Sequence, residues 1–289
     1  MNMFNTISVI GGDLRQIALA HLLEKKGCNV QIFGFDKDIE VGTLKKAHTL
    51  ADAAKAAAIV LPLPVSQDNI TLNAPFSINE IKLGELAKSA PKNSLIFGGK
   101  FSAAASEFFR GIRVYDYLDR EELSVLNAIP TAEGAIEIAL AETPRTIHSS
   151  KCLVIGYGRI GKVLADRLEA FGAEVVVSAR KAEDFSWISA NGFESVNSLE
   201  LEKERFDYNI IFNTVPSVIL NAAVLEKIPK DTLIIDLASK PGGVDFSLAR
   251  ELGLKVIWAL SLPGKTAPIT AGEIIGNTIL NILKESEGI

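Results

Sequence analysis

The spacing Gly156-Tyr157-Gly158-Arg159-Ile160-Gly161 is the pattern in this chain best suited to chemistry. Glycines placed this way suit a pyrophosphate. Gly156 allows a tight turn, Gly158 lets the backbone approach the phosphates, and Gly161 lets the following helix pack closely on its strand. The anion would rest on free N–H groups at the positive end of that helix. About twenty residues further on, an NAD site usually presents Asp or Glu to the ribose 2′-hydroxyl. Here the chain reads Val177-Ser178-Ala179-Arg180-Lys181, with no acid. Ser178, Arg180 and Lys181 together suit a 2′-phosphate, for which arginine supplies a permanent charge and a fork of donors. The expected cofactor is therefore NADP, with NAD the less favoured alternative. Asn213-Thr214-Val215-Pro216 would border the adenosine half of such a ligand. Asp236 to Gly243 and Leu262 to Thr266, leaving later strands, would face a cleft near the nicotinamide.

Groups for acid–base work are less obvious. His21, His48 and His148 all fall outside the loops that would follow the strands of the nucleotide-binding half. This argues against the D-2-hydroxyacid dehydrogenases, which need a histidine late in that domain. No set of Cys, His and carboxylates has metal-ligand spacing. Lys100, Asp116, Tyr117, Glu133, Lys240 and Lys265 remain as candidates, each with the alternative of being an ordinary solvated or structural group.

The elements that must position these residues alternate between strand and helix. From Lys151 onward, apolar runs predict strands at 151–155, 174–178, 194–196, 208–213, 232–237 and 255–260, as two mononucleotide-binding halves require. The first half of the chain repeats the plan, starting with Ile7-Ser8-Val9-Ile10 and Gly11-Gly12-Asp13-Leu14-Arg15-Gln16. There Asp13 and Gln16 stand where the second and third glycines would be, which disfavours a pyrophosphate and leaves Arg15 available for a carboxylate. Ser77-Ile78-Asn79-Glu80 has capping-box spacing for a helix ending near Ser89. Asn127 to Gly134 reads as a connection, with Pro130 at or just ahead of a new helix. The expected class is α/β, with two Rossmann-like doubly wound domains. They would span 1–130, the substrate domain, and 131–267, the NADP-binding domain. A last helix, within 268–289, is placed to return to the first domain.

Composition sets outer limits. A net charge of −5 and an acidic pI near 5.4 disfavour nucleic acid as a partner. No uninterrupted apolar run approaches the ~18 residues of a membrane span, and the start of the chain lacks a signal-peptide pattern. The two cysteines, Cys28 and Cys152, suit a reducing compartment, so the expected location is cytoplasmic. Oligomeric state is left open, with a homo-oligomer among the possibilities.

Taken in order, Gly11 to Gln16, Asn127 to Gly134, Gly156 to Gly161, Asn213 to Pro216, Asp236-Leu237-Ala238-Ser239-Lys240-Pro241-Gly242-Gly243 and Leu262-Pro263-Gly264-Lys265-Thr266-Ala267-Pro268 resemble a specific family. That family is the dipicolinate synthase A subunits of spore-forming bacteria. The resemblance covers essentially the whole chain. It implies oxidation and dehydration of 4-hydroxy-tetrahydrodipicolinate to dipicolinate with NADP, together with a flavoprotein B subunit, in sporulation. A dicarboxylate needs cationic anchors, for which Arg15, Lys240 and Lys265 are the candidates, and Lys100, Asp116 and Glu133 are nominated as acid and base. Two alternatives stay open. One is an NADP-binding structural or regulatory subunit whose partner does the chemistry; the other is a different NADP-linked dehydrogenase of shikimate or hydroxyacid type.

Overall fold

The computed structural model describes residues 6–286, so the ends of the expected 1–130 and 268–289 segments (1–5 and 287–289) lie outside the described residues. The chain forms two compact units. One runs to Leu126 and resumes at Ala267; the other is Asn127–Thr266.

The first unit contains β1 (Ile7–Ile10), α1 (Leu14–Lys25), β2 (Val30–Phe33), β3 (Lys45–Lys46), α2 (Leu50–Ala54) and β4 (Ala58–Val60). It continues with α3 (Leu83–Ser89), β5 (Leu95–Gly98), α4 (Ala103–Glu107) and β6 (Arg113–Asp116). Its six strands are all parallel, in the order β3-β2-β1-β4-β5-β6. Central strands buried on both faces explain the near-continuous apolar runs. Ile7 and Val9 of β1 enter one core cluster, and Ile10 enters the cluster on the other face.

A long helix, α5 (Glu121–Glu142), leads out of this unit with Pro130 inside it. The sequence reading placed a connection there, and the structure corrects it. Buried Ala128, Ala132, Ala135 and Ala139 repeat at helical spacing across the proline, so packing maintains the helix through it. By length and composition α5 passes as a membrane span, but half of its apolar window is buried within the protein. We read it as a core helix.

The second unit contains β7 (Lys151–Ile155), α6 (Arg159–Ala170), β8 (Glu174–Ala179), α7 (Ala182–Ala190), β9 (Glu194–Asn197) and β10 (Ile210–Asn213). Then come α8 (Ala222–Leu225), β11 (Leu233–Asp236), α9 (Phe246–Glu251), β12 (Lys255–Trp258) and α10 (Leu262–Thr266). Its parallel order, β12-β11-β10-β7-β8-β9, is the doubly wound arrangement. Along β7, Cys152 and Val154 face one core cluster while Leu153 and Ile155 face the other.

The last helix, α11 (Pro268–Ser286), belongs to the first unit and packs on α1. Gly272 permits the approach, since a Cβ there would meet Ala18 Cβ at 2.7 Å and the Leu19 nitrogen at 3.0 Å. The expected capping box at Ser77 is also corrected. The Ser77 hydroxyl donates to the Asn79 carbonyl at 2.7 Å, and α3 starts six residues later without a side-chain cap. A short antiparallel bridge between Thr71 and Lys82 occupies the intervening chain.

Candidate functional site

The two glycine turns differ in what covers the helix N-terminus behind them. In the first unit, the Asp13 carboxylate accepts from the Arg15 N–H at 3.0 Å, and the Gln16 side chain accepts from the Asp13 N–H at 3.1 Å. This capping box satisfies donors that an anion would need. Arg15 is itself engaged. Its Nε lies 2.9 Å and one Nη 2.8 Å from Asp13, and the same Nη reaches the Leu63 carbonyl at 2.7 Å. Burial opposes its charge, but the hydrogen bond and charge of Asp13 outweigh that and hold its pKa above the ordinary value.

In the second unit, α6 begins at Gly158 with no side-chain cap. A Cβ on Gly158 would meet nothing within 4 Å, so the backbone is open to a ligand. Gly156 turns with a φ of +97°, and a Cβ there would sit 2.5 Å from the Thr214 hydroxyl. A Cβ on Gly161 would collide with the Gly156 carbonyl. Each glycine therefore has its own physical reason, and together they leave an open donor array at the positive end of a three-turn helix.

A cavity of about 680 Å³ opens on this turn. Its walls bring together Gly156, Tyr157, Gly158, Arg180, Lys181 and the loop from Thr214 to Pro216. Arg180 is exposed immediately after β8, while Lys181 is drawn to Glu183 at 3.1 Å. Ile160, in the first turn of α6, is partly buried against the core, and Arg159 starts that helix.

Ser178 and Asn213 stand behind the cavity rather than in its wall. Ser178 is fully buried, with its hydroxyl 2.6 Å from that of Ser198. Asn213, also fully buried, donates to the Val215 carbonyl at 3.0 Å and to the Asp236 carboxylate at 2.7 Å. Asp236 accepts further from the N–H groups of Ala238 at 3.1 Å and Gly243 at 2.8 Å. This network ties the exits of β10 and β11 together, and it compensates a carboxylate that would otherwise be costly to bury.

Ser198, Leu199, Val218 and Ile219 line the same cavity and escaped the sequence reading. Ser198 directly follows β9, so the rule that ligands meet the carboxyl ends of strands could have found it. Leu199 and Val218 are 72% and 55% exposed, an apolar surface suited to a flat heterocycle.

The nominated acid–base groups have other partners. Asp116 receives the N–H groups of Lys100 at 3.0 Å, Phe101 at 2.8 Å and Leu118 at 2.9 Å, which makes it an organiser of its loop. Glu133 pairs with Arg167 at 3.3 Å, eight residues beyond the start of α6 and about 12 Å along its axis. The structure does not bring Glu133 to the glycine turn. Tyr117 is fully buried and donates to the Leu61 carbonyl at 3.0 Å; burial pushes its pKa up. Lys100, in left-handed backbone at φ +58°, is exposed at the end of β5, and Lys240 and Lys265 are exposed after β11 and inside α10. Among the described residues no group of His, Cys, Asp and Glu is arranged to hold a metal ion.

A doubly wound domain with an open glycine turn has the features of a dinucleotide-binding domain. Residues 132–245 match the model of the NAD-binding domain of D-isomer specific 2-hydroxyacid dehydrogenases. Residues 6–118 match the N-terminal domain of the dipicolinate synthase A subunit. The chain is 34% identical to the dipicolinate synthase A subunit of Bacillus subtilis, with 96% of each chain covered. It superposes with a TM-score of 0.87 and 30% identity on the crystal structure of the Bacillus halodurans counterpart, covering 96% of this chain and 97% of the other. A transhydrogenase from Sinorhizobium meliloti, 13% identical with a TM-score of 0.71 over 97% and 94% of the two chains, shares the fold. The chain belongs to the family of dipicolinate synthase A subunits, and it is an oxidoreductase of that family.

Proposed function

We propose that this chain uses NADP to convert 4-hydroxy-tetrahydrodipicolinate to dipicolinate, acting with a flavoprotein B subunit in sporulation. The observation that carries the proposal is the uncapped N-terminus of α6 above an open Gly158, beside a cavity large enough for a nucleotide. Arg180 supports the choice of NADP, since it follows β8 where an NAD site would carry an acid. Asp184 and Glu202 also line the cavity, so a 2′-phosphate is favoured only close to Arg180. Ser178 supports the choice by fixing Ser198, not by direct contact.

The reaction loses one water, the hydroxyl leaving with an added proton while a ring C–H proton passes to solvent, and also one hydride and one proton, leaving an aromatic ring. When bound, the nucleotide supplies an oxidised nicotinamide as hydride acceptor. We assign Lys100, an exposed ammonium held by a loop that Asp116 organises, to protonation of the departing hydroxyl. Lys240 and Lys265 are exposed cations available to a carboxylate, whereas Arg15 is already neutralised by Asp13. Glu133, held by Arg167, is given no catalytic part.

The engagement of Asp116 and Glu133 favours a second reading, in which the chain binds the nucleotide and its partner carries out the chemistry. Purified chain, substrate and NADP, followed at the NADPH absorbance band with and without the B subunit, separates the two. NADPH formation that Lys100→Met reduces at least ~100-fold supports the proposal. An unchanged rate in that variant supports the second reading, and no NADPH under either condition contradicts both.

A further inference from the structure

Two loops leave neighbouring strands of the nucleotide-binding unit, and a fully buried pair of side chains joins them. Asn213 and Asp236 end β10 and β11 and stand opposite each other in the sheet register. The Asn213 side chain grips both peptide groups of Val215. Its Oδ1 accepts from the Val215 N–H at 3.2 Å, and its amide donates to the Val215 carbonyl at 3.0 Å. Val215 lines the nucleotide cavity, and its neighbour Thr214 donates to the Ile155 carbonyl at 2.9 Å, just before the glycine turn. The Asn213 amide also donates to Asp236 at 2.7 Å.

Asp236 in turn pins both ends of the loop that follows β11. Its carboxylate accepts from the N–H groups of Ala238 at 3.1 Å and Gly243 at 2.8 Å. The Ala238 carbonyl accepts from the Trp258 indole at 2.9 Å. The Gly243 carbonyl accepts from Ile219 at 3.1 Å and Leu220 at 3.0 Å, and Ile219 is again a wall of the cavity. A Cβ on Gly243 would collide with the Asn213 amide, so this junction is closely packed. Between the pinned ends, Ser239, Lys240 and Pro241 are exposed. Members of a buried hydrogen-bonded network have no water to replace a lost partner, so they open together.

We propose that Asn213 is a positioning residue. Through Asp236 it makes the cavity wall at 214–219 and the loop at 237–243 one cooperative unit, so a bound nucleotide also holds Lys240 in place. A ligand that binds the closed wall stabilises whatever must open with that wall. The use of Lys240 as a carboxylate anchor rests on the substrate reading above; the coupling does not.

Amide hydrogen exchange of the full chain, followed by mass spectrometry, tests this. It is measured without nucleotide and with NADP or NAD, each at 100 times its Kd for the variant in hand. In the wild type, segments 214–219 and 237–243 should both slow at least ~10-fold with NADP. In Asn213→Ala, 214–219 should still slow while 237–243 stays within ~2-fold of its nucleotide-free rate. A merely structural role would loosen both segments and leave their responses to nucleotide matched. Asp236→Asn keeps the side-chain volume and should give the same selective loss, which keeps the test decisive if Asn213→Ala does not fold. A wild type in which 214–219 slows alone, or variants in which 237–243 slows in full, would overturn the proposal. Slowing of both segments by NAD in place of NADP would support the coupling and contradict the cofactor choice. Slowing of neither segment by either nucleotide would overturn the coupling together with the nucleotide reading of the cavity.

Discussion

Gly158 and Gly161 stand three residues apart and answer to different constraints. Gly158→Ala places a methyl in open space, so it should change stability by less than ~1 kcal/mol while weakening nucleotide binding at least ~10-fold by obstructing the phosphates. Gly161→Ala drives a methyl into the Gly156 carbonyl and should cost ~1–3 kcal/mol in urea denaturation, with binding lost as a consequence. Equal stability losses in the two variants would contradict this division. The glycines were legible from sequence because the motif reads backbone geometry, which is local. The surroundings of Asp116 and Glu133 were not, because their partners lie 16 and 34 residues away. A carboxylate's availability is decided by such remote donors.

At the scale of elements, hydrophobic periodicity gave the strands of the second unit nearly residue by residue: 151–155 as expected, and 194–197 for an expected 194–196. It misjudged α5, because proline's local cost is visible in sequence while the buried alanine stripe that offsets it becomes visible only in three dimensions. The contact of α11 with α1 rests on a similarly non-local fit. Gly272→Val would force side-chain atoms against the backbone of α1 and should destabilise the protein by ~1–3 kcal/mol. Unchanged urea denaturation would show that α11 adds little there. On β7, burial raises the Cys152 thiol from its ordinary 9.0 to about 12. The folded state holds that proton more tightly than the unfolded chain does. Its contribution to stability is therefore complete below pH ~9 and is lost as pH rises toward about 12. A thiol reagent at pH 8 should modify Cys152 only under unfolding conditions; rapid modification of the native protein would contradict its burial.

Across the whole molecule, two units share one strand order but only the second keeps an open turn for a dinucleotide. The fold class was readable in the alternation of elements, and the difference between the units in the replacement of two glycines by Asp13 and Gln16. Neither showed that those replacements close the helix end by a capping box. If the second unit alone takes the nucleotide, NADP at 100 times its Kd should stabilise the folded chain by ~2.7 kcal/mol, with a smaller gain from NAD at equal concentration. The most direct test of an NADP site at the α6 turn is calorimetric titration of both nucleotides into the wild type and Arg180→Ala. The wild type should bind NADP at least ~10-fold more tightly than NAD, and the substitution should weaken NADP by a similar factor with NAD within ~2-fold. Equal losses for both nucleotides, or no binding of either to the wild type, would contradict the account.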